Sequence, residues 1–97
     1  MQNALIYYRQ EKEEDIQNAI DYVNEVINKI EKNSLIKGVF VDSYNERTEF
    51  DNLINNSLDN IDLIYLNIDI LDEFDENLLN QIARADRIQT KNIYEVE

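Results

Sequence analysis

Apolar positions along the chain alternate between short continuous runs and runs with helical spacing. A β-branched and aromatic run at Ala4 to Tyr8 predicts a first strand. After Asp15, which suits an N-cap, isoleucines and valines recur at steps of three and four residues and predict an amphipathic helix to about Lys32. Acidic residues stand at the start of this helix and lysines at its end, in agreement with the helix dipole.

The rest of the sequence repeats this alternation of strand and helix. The further predicted elements are a strand at 35–41, a helix at 48–57, a strand at 61–68, a helix at 76–85 and a strand at 91–96. The run from Ile61 to Ile68 is nearly continuous in apolar residues, as is typical of a central parallel strand. Gly38, the only glycine, is expected where another group closely approaches the second strand.

This order of elements, β-α-β-α-β-α-β, predicts an α/β fold. We expect a small, four-stranded, mostly parallel sheet with helices on both faces and right-handed crossovers. No repeat or linker divides the sequence, so residues 1–97 are expected to form one domain. A functional site should lie at the carboxyl ends of the strands, near Arg9, Asp42, Asp69 and Glu97.

Composition excludes several classes of function. With 43% hydrophobic residues the chain is expected to fold, and its 21 acids against nine cations give a net charge of −12. Direct nucleic-acid binding and attachment to anionic membranes are therefore not expected. The absence of His and Cys removes the usual zinc ligands and the base of Ser-His chemistry. Without a signal peptide or an apolar run long enough to span a membrane, the expected location is the cytoplasm.

Acids at the strand ends raise the possibility of metal chemistry. Asp42 and Asp69 could hold Mg²⁺ or accept a phosphoryl group, but a receiver domain needs an acidic pair where Arg9-Gln10 stands. The acidic stretch Asp69 to Glu76 lacks the glycine of a calcium loop, which favours a solvated loop and helix start. We therefore predict no metal and no cofactor.

Other polar residues near the strand ends have structural explanations. Ser43 lies in a turn-forming stretch and has no histidine to activate it. Arg9 and Arg47 are expected to pair with nearby carboxylates.

Three stretches resemble the catalytic domain of serine recombinases, the resolvase/invertase family. Ala4 to Arg9 is similar to the family's opening strand, which ends in Tyr-x-Arg-Val-Ser. Val39 to Asp42 followed by Glu46 to Ile54 resembles the second strand and the Asp/Glu-Arg-Pro helix start. Ile61 to Asp69 resembles the strand that leads into Leu-Asp-Arg-Leu-Gly-Arg. The resemblance covers nearly the whole chain through degenerate motifs and implies a resolvase-like fold. The family's domain continues into further strands, a dimerisation helix and a DNA-binding module, whereas this chain stops at Glu97.

The functional positions of the family are only partly kept. By this resemblance Arg9 and Arg47 match two arginines that surround the scissile phosphate, and Asp69 matches the acid of the later motif. The nucleophilic serine falls on Glu11. The two arginines of the later motif fall on Ile70 and Glu73, and the glycine between them falls on Asp72. Because these cations stabilise the transition state of phosphoryl transfer, the resemblance implies loss of DNA cleavage and strand exchange.

Two hypotheses about function follow. The first is a catalytically inactive, recombinase-like domain that acts as a protein-interaction or regulatory module, either self-associating or binding a related recombinase. The second is an acidic inhibitor that mimics DNA, since residues 1–48 carry a net charge of −3 and residues 49–97 carry −9. An acidic surface that serves only solubility remains a third interpretation.

Overall fold

The computed structural model, which describes residues 1–67, 69 and 71–96, is an α/β fold with a sheet of four parallel strands. The strands are β1 (Gln2–Arg9), β2 (Ser34–Asp42), β3 (Leu63–Leu66) and β4 (Gln89–Asn92). The helices are α1 (Ile16–Ile30), α2 (Thr48–Asn56) and α3 (Glu73–Asp86). The strand order is β2-β1-β3-β4, and all three pairings are parallel, which confirms the predicted class.

The central strand β1 divides the hydrophobic core into two layers. Leu5 and Tyr7 point into a cluster with α2 and α3, whereas Ile6 and Tyr8 point into a cluster with α1. Successive side chains of a strand point to opposite faces, and both faces of β1 are covered, so every residue from Ala4 to Arg9 is buried. Helices therefore lie on both faces of the sheet, as expected.

Side-chain caps determine where two of the helices begin. The Asp15 carboxylate accepts a hydrogen bond from the Gln17 backbone N–H at 2.8 Å and starts α1 at the predicted position. The Asp72 carboxylate accepts from the Asp75 N–H at 2.8 Å and starts α3 at Glu73. No helix within the described part of the chain is both long and apolar enough to cross a membrane.

Several element boundaries differ from the prediction. The prediction began α3 at Glu76, three residues late, because it did not use Asp72 as the cap. It also placed the last strand at 91–96, whereas β4 covers Gln89–Asn92 and Asn92 then caps a single 3₁₀ turn, Ile93–Glu95. β3 is shorter than the predicted 61–68, and Ile68 lies outside the described residues.

Gly38 lies at an irregularity of the edge strand β2. The register between β1 and β2 shifts at this point, because Ala4 pairs with Ile36 and Leu5 pairs with Gly38. A Cβ atom on Gly38 would lie 2.9 Å from Phe40 Cε2 and 3.3 Å from Leu5 Cδ2. The expected close approach is therefore confirmed, and both approaching groups are side chains.

Candidate functional site

The carboxylate of Asp42, at the end of β2, caps the N-terminus of α2, although Asp42 is not part of that helix. Its Oδ1 accepts from the Glu49 N–H at 2.8 Å, and its Oδ2 accepts from the Phe50 N–H at 3.0 Å. Arg47, the residue at the N-cap position itself, makes no side-chain cap. Asp42 thus satisfies two of the backbone donors that every helix start leaves free, and it joins β2 to α2.

Tyr7 connects Asp42 to Arg9 in the interior. Its hydroxyl donates to Asp42 Oδ2 at 2.7 Å and accepts from Arg9 Nε at 2.9 Å. The Arg9 guanidinium lies beside the contacting rings of Tyr7 and Phe50, with Cζ 5.6 Å from each centroid. Burial and the hydrogen bond to Asp42 raise the pKa of Tyr7 well above its usual value, so this hydroxyl keeps its proton.

The same arginine contacts the first turn of α3 through Asp75. Arg9 Nη2 lies 3.3 Å from Asp75 Oδ2, and Arg47 Nη2 lies 2.9 Å from Asp75 Oδ1. Arg9 is only 5% exposed and Asp75 only 1%. Burial lowers the pKa of Arg9, but its contacts with Tyr7 and Asp75 outweigh this and leave the pKa raised. The guanidinium is therefore charged, and a single buried carboxylate bridges both arginines.

Arg47 is the exposed end of this chain of contacts. It also pairs with Asp51 at 3.2 Å, one helical turn further along α2, and its Cζ lies 5.5 Å from the centre of the Phe74 ring. The expectation that Arg9 and Arg47 pair with carboxylates is confirmed. We call the connected set Tyr7, Arg9, Asp42, Arg47 and Asp75 the arginine–aspartate network.

The structure places two of the remaining family positions, Glu11 and Asp69, away from this network. Glu11 is exposed and accepts a hydrogen bond from the Tyr94 hydroxyl, which lies beside Tyr8 on the α1 face of the sheet. Asp69 is exposed on that same face, and Glu73 is exposed at the first position of α3. Ile70 lies outside the described residues. Arg9 and Arg47 are brought together, but Glu11 and Asp69 are not placed with them.

Tyrosines and glutamates form a second polar cluster, at the carboxyl end of β1. The buried Tyr8 hydroxyl donates to the Glu14 carboxylate at 2.8 Å and lies 3.2 Å from the Tyr94 hydroxyl. Tyr22 completes a group of three aromatic rings and donates to the Ile93 carbonyl at 3.2 Å. Burial and the neighbouring Glu14 raise the pKa of Tyr8, so its hydroxyl also stays protonated.

Tyr7 and Tyr8 are expected to make the free energy of unfolding depend on pH in the alkaline range. In the unfolded chain both ionise near their usual pKa of about 10, whereas in the folded chain their raised pKa values keep them neutral. Their contribution to stability is complete below about pH 10 and is lost as the pH rises toward the folded-state pKa values. We expect the free energy of unfolding, measured by denaturant titration, to fall above about pH 10. Tyr7→Phe and Tyr8→Phe should each make this fall shallower, and an unchanged slope in both would contradict the assignment.

A magnesium site at Asp42 and Asp69 does not agree with the contacts. Both oxygens of Asp42 already accept hydrogen bonds from Tyr7 and from α2. Asp69 instead borders an open groove of about 760 Å³ on the α1 face, together with Lys29, Tyr65 and Lys91. Within the described residues, no three acidic side chains converge on a point where a metal ion could sit.

Asp75 and Asn67 were not predicted as site residues, and Tyr7 was predicted only as part of a strand. Asp75 was assigned to a solvated acidic stretch, but it is buried; its spacing with Leu79 and Ala83 places all three on the inner side of α3. Asn67 also lay unremarked within a predicted strand. Its side chain accepts from the Arg9 N–H at 3.0 Å and donates to the Arg9 carbonyl at 2.7 Å. The only feature of the sequence that indicated burial of Asp75 was its spacing of four and eight residues from Leu79 and Ala83.

Comparison with known proteins gives no relative: no family model matches the chain, and neither a curated protein nor a solved structure matches it. The class of protein is therefore defined by the fold and the site. It is a small α/β domain with an all-parallel sheet and a largely buried arginine–aspartate network at the carboxyl edge.

Proposed function

We propose that the chain is a catalytically inactive, serine-recombinase-like domain that works through contacts with protein. The observation that carries this proposal is the double ion pair of Asp75. In the recombinase resemblance, Arg9 and Arg47 would contact a scissile phosphate. Here Asp75 already forms an ion pair with both, and Arg9 is too deeply buried to meet a phosphate without opening the core.

The position of Glu11 supports the same conclusion. By the resemblance it stands where the family has its nucleophilic serine, and a carboxylate adds negative charge where DNA would approach. Its hydrogen bond to Tyr94 also holds it on the α1 face of the sheet, while Arg9 and Arg47 meet α3 on the other. This separation of the nucleophile position from the two arginines supports the proposal that the domain does not carry out phosphoryl transfer.

The first test is DNA chemistry. We expect neither a covalent protein–DNA adduct nor retardation of duplex DNA at low salt, with an active serine recombinase assayed in parallel. Glu11→Ser restores the family's nucleophile at that position, but it should remain inactive because Asp75 still occupies both arginines. Cleavage by the wild type or by Glu11→Ser would overturn the proposal.

The second test is complex formation with protein. Light scattering after size-exclusion chromatography measures the mass of the domain alone and after mixing with a serine recombinase from the same genome. A complex in either arm supports an interaction module. A monomer that also leaves the recombinase unchanged would overturn this part of the proposal, even if DNA cleavage is absent.

A DNA-mimic inhibitor is the second candidate, favoured by exposed carboxylates around the start of α3. Asp69, Asp72, Glu73 and Glu76 are all exposed there, whereas Asp75 is withdrawn into the core. A complex formed by these charges with a basic nucleic-acid enzyme should weaken strongly between about 0.05 and 0.5 M salt. A salt-insensitive complex would count against mimicry.

A further inference from the structure

The strand β2 presents a long edge that β1 leaves free. β2 has nine residues, while β4, at the other side of the sheet, has four. β1 pairs with one side of β2, and no strand among residues 1–67, 69 and 71–96 pairs with the other. Such an edge exposes backbone donors and acceptors that can pair with a further strand.

The usual protections of an edge strand are confined to the first part of β2. Lys37 is the only charged residue between Ser34 and Val41, and the register shift lies at Lys37 and Gly38. Both features discourage pairing of edges. From Val39 to Val41 the strand has neither a charge nor a proline, so this segment is the part of the edge able to accept another strand.

One flank of α1 lies over this segment. With about 3.6 residues per turn, Ile16, Ile20 and Ile27 fall on one side of the buried stripe of α1, and Tyr22 and Lys29 fall on the other. Tyr22 bonds to Ile93, next to β4, so the isoleucine flank faces β2. α1 runs back from the carboxyl end of β1, which places Ile16 and Ile20 nearest the carboxyl end of β2.

Helix and strand both carry exposed aliphatic side chains on this side of the α1 face. Val39 and Val41 pair with Ile6 and Tyr8 and therefore share their α1 face of the sheet. Ile16 is 46% exposed, Ile20 41% and Val39 42%, and Val41 is partly buried. We call Ile16, Ile20, Val39 and Val41 the edge patch.

We propose that the edge patch binds a second copy of this chain, with residues 39–41 of the two copies pairing in antiparallel fashion. This inference deepens the proposed function, on which it rests, by naming the partner. Two identical antiparallel strands are related by a two-fold axis, so each copy offers the other the same unpaired backbone groups. The isoleucines of the two α1 helices then meet on one side of a continuous eight-stranded sheet.

The edge patch is a surface where a second copy can bind in spite of the net charge. Two chains of −12 repel each other, so self-association requires a surface without exposed acids at its centre. The four side chains of the edge patch are aliphatic and need no complementary charge from a partner. Salt should therefore strengthen the dimer by screening the remaining repulsion, whereas it would weaken a complex held by opposite charges.

Sedimentation equilibrium from micromolar to millimolar concentration tests the proposal. We expect the mass to rise from 11.5 kDa toward twice that value, and to rise further when salt is added. Val39→Lys should abolish the rise. Leu35→Lys is the control: it also places a lysine at an exposed aliphatic position of β2, but Leu35 pairs with Asn3 and lies beyond the register shift, outside the edge patch, so dimerisation should remain.

Hydrogen exchange of the wild type provides a readout that needs no variant. Amides of residues 39–41 should gain protection with concentration, and amides of α3 should not. A monomer at every concentration overturns the inference, as does a dimer without protection at 39–41 or one that Val39→Lys leaves intact. A monomer that still binds a recombinase and leaves DNA uncut would refute the dimer while the proposed function stands.

Discussion

Replacing Asp75 with alanine is expected to lower the free energy of unfolding by about 3–5 kcal/mol, as is typical when one partner of a buried ion pair is removed. The loss is large because Arg9 remains inside the protein as a charge without a counter-ion. The second arginine, Arg47, is partly exposed and can turn toward water, so most of the cost arises at Arg9. Denaturant titration followed by circular dichroism measures the change.

The matched control for this substitution is Glu76→Ala in the same turn of α3. Glu76 is also acidic but is exposed, and its removal should change stability by no more than about 0.5 kcal/mol. Equal effects of the two substitutions would show that the bridge between the arginines contributes no more than a surface charge. The basis of the proposed function would then be lost.

Asp42→Ala is expected to destabilise the fold by about 2–4 kcal/mol, because it removes a helix cap and leaves a buried hydroxyl unpaired. Three donors lose their acceptor at once: the Tyr7 hydroxyl and the N–H groups of Glu49 and Phe50. The Tyr7 hydroxyl and the Phe50 N–H lie in the interior, where water cannot replace the lost bonds. Thermal and denaturant unfolding should agree on the size of the loss.

Asp51→Ala separates the loss of a cap from the loss of a charge. Asp51 lies on α2 and pairs with Arg47, but its side chain is half exposed, so its removal should cost about 0–1 kcal/mol.

The double variant Tyr7→Phe with Asp42→Ala should be less destabilised than the sum of the two single variants, since the two residues share one hydrogen bond. Strict additivity would exclude an energetic connection between them.

Much of the fold follows from local patterns in the sequence. The steps of three and four residues in α1 and the continuous apolar run in β3 each reflect burial against one or two faces, and both elements were predicted from them. The ends of helices and strands were less predictable where a polar side chain makes the hydrogen bonds that a backbone group makes elsewhere. Asp72 starts α3 before the apolar periodicity begins, and Asn67 continues the pairing of β1 with β3 through its amide.

The candidate site was only half predictable, for a related reason. Arg9 and Arg47 stood out because cations are rare in this chain, and their pairing with carboxylates was expected. Which carboxylate they share depends on how the first turn of α3 packs against the end of β1 and the start of α2. Among the five acids between Asp69 and Glu76, the sequence contains no local property that distinguishes the buried Asp75 from its exposed neighbours except its helical phase.

The central place of β1 also governs how the chain can fold during synthesis. β1 leaves the ribosome before both of its neighbours, and its six buried residues stay exposed until β2 and then β3 have been made. Pairing of Ala4 with Leu63 closes a loop of most of the chain, so the sheet cannot be completed early. We therefore expect the sheet to be completed late in synthesis, after a period in which Ala4 to Tyr8 is a target for chaperones that bind apolar strands.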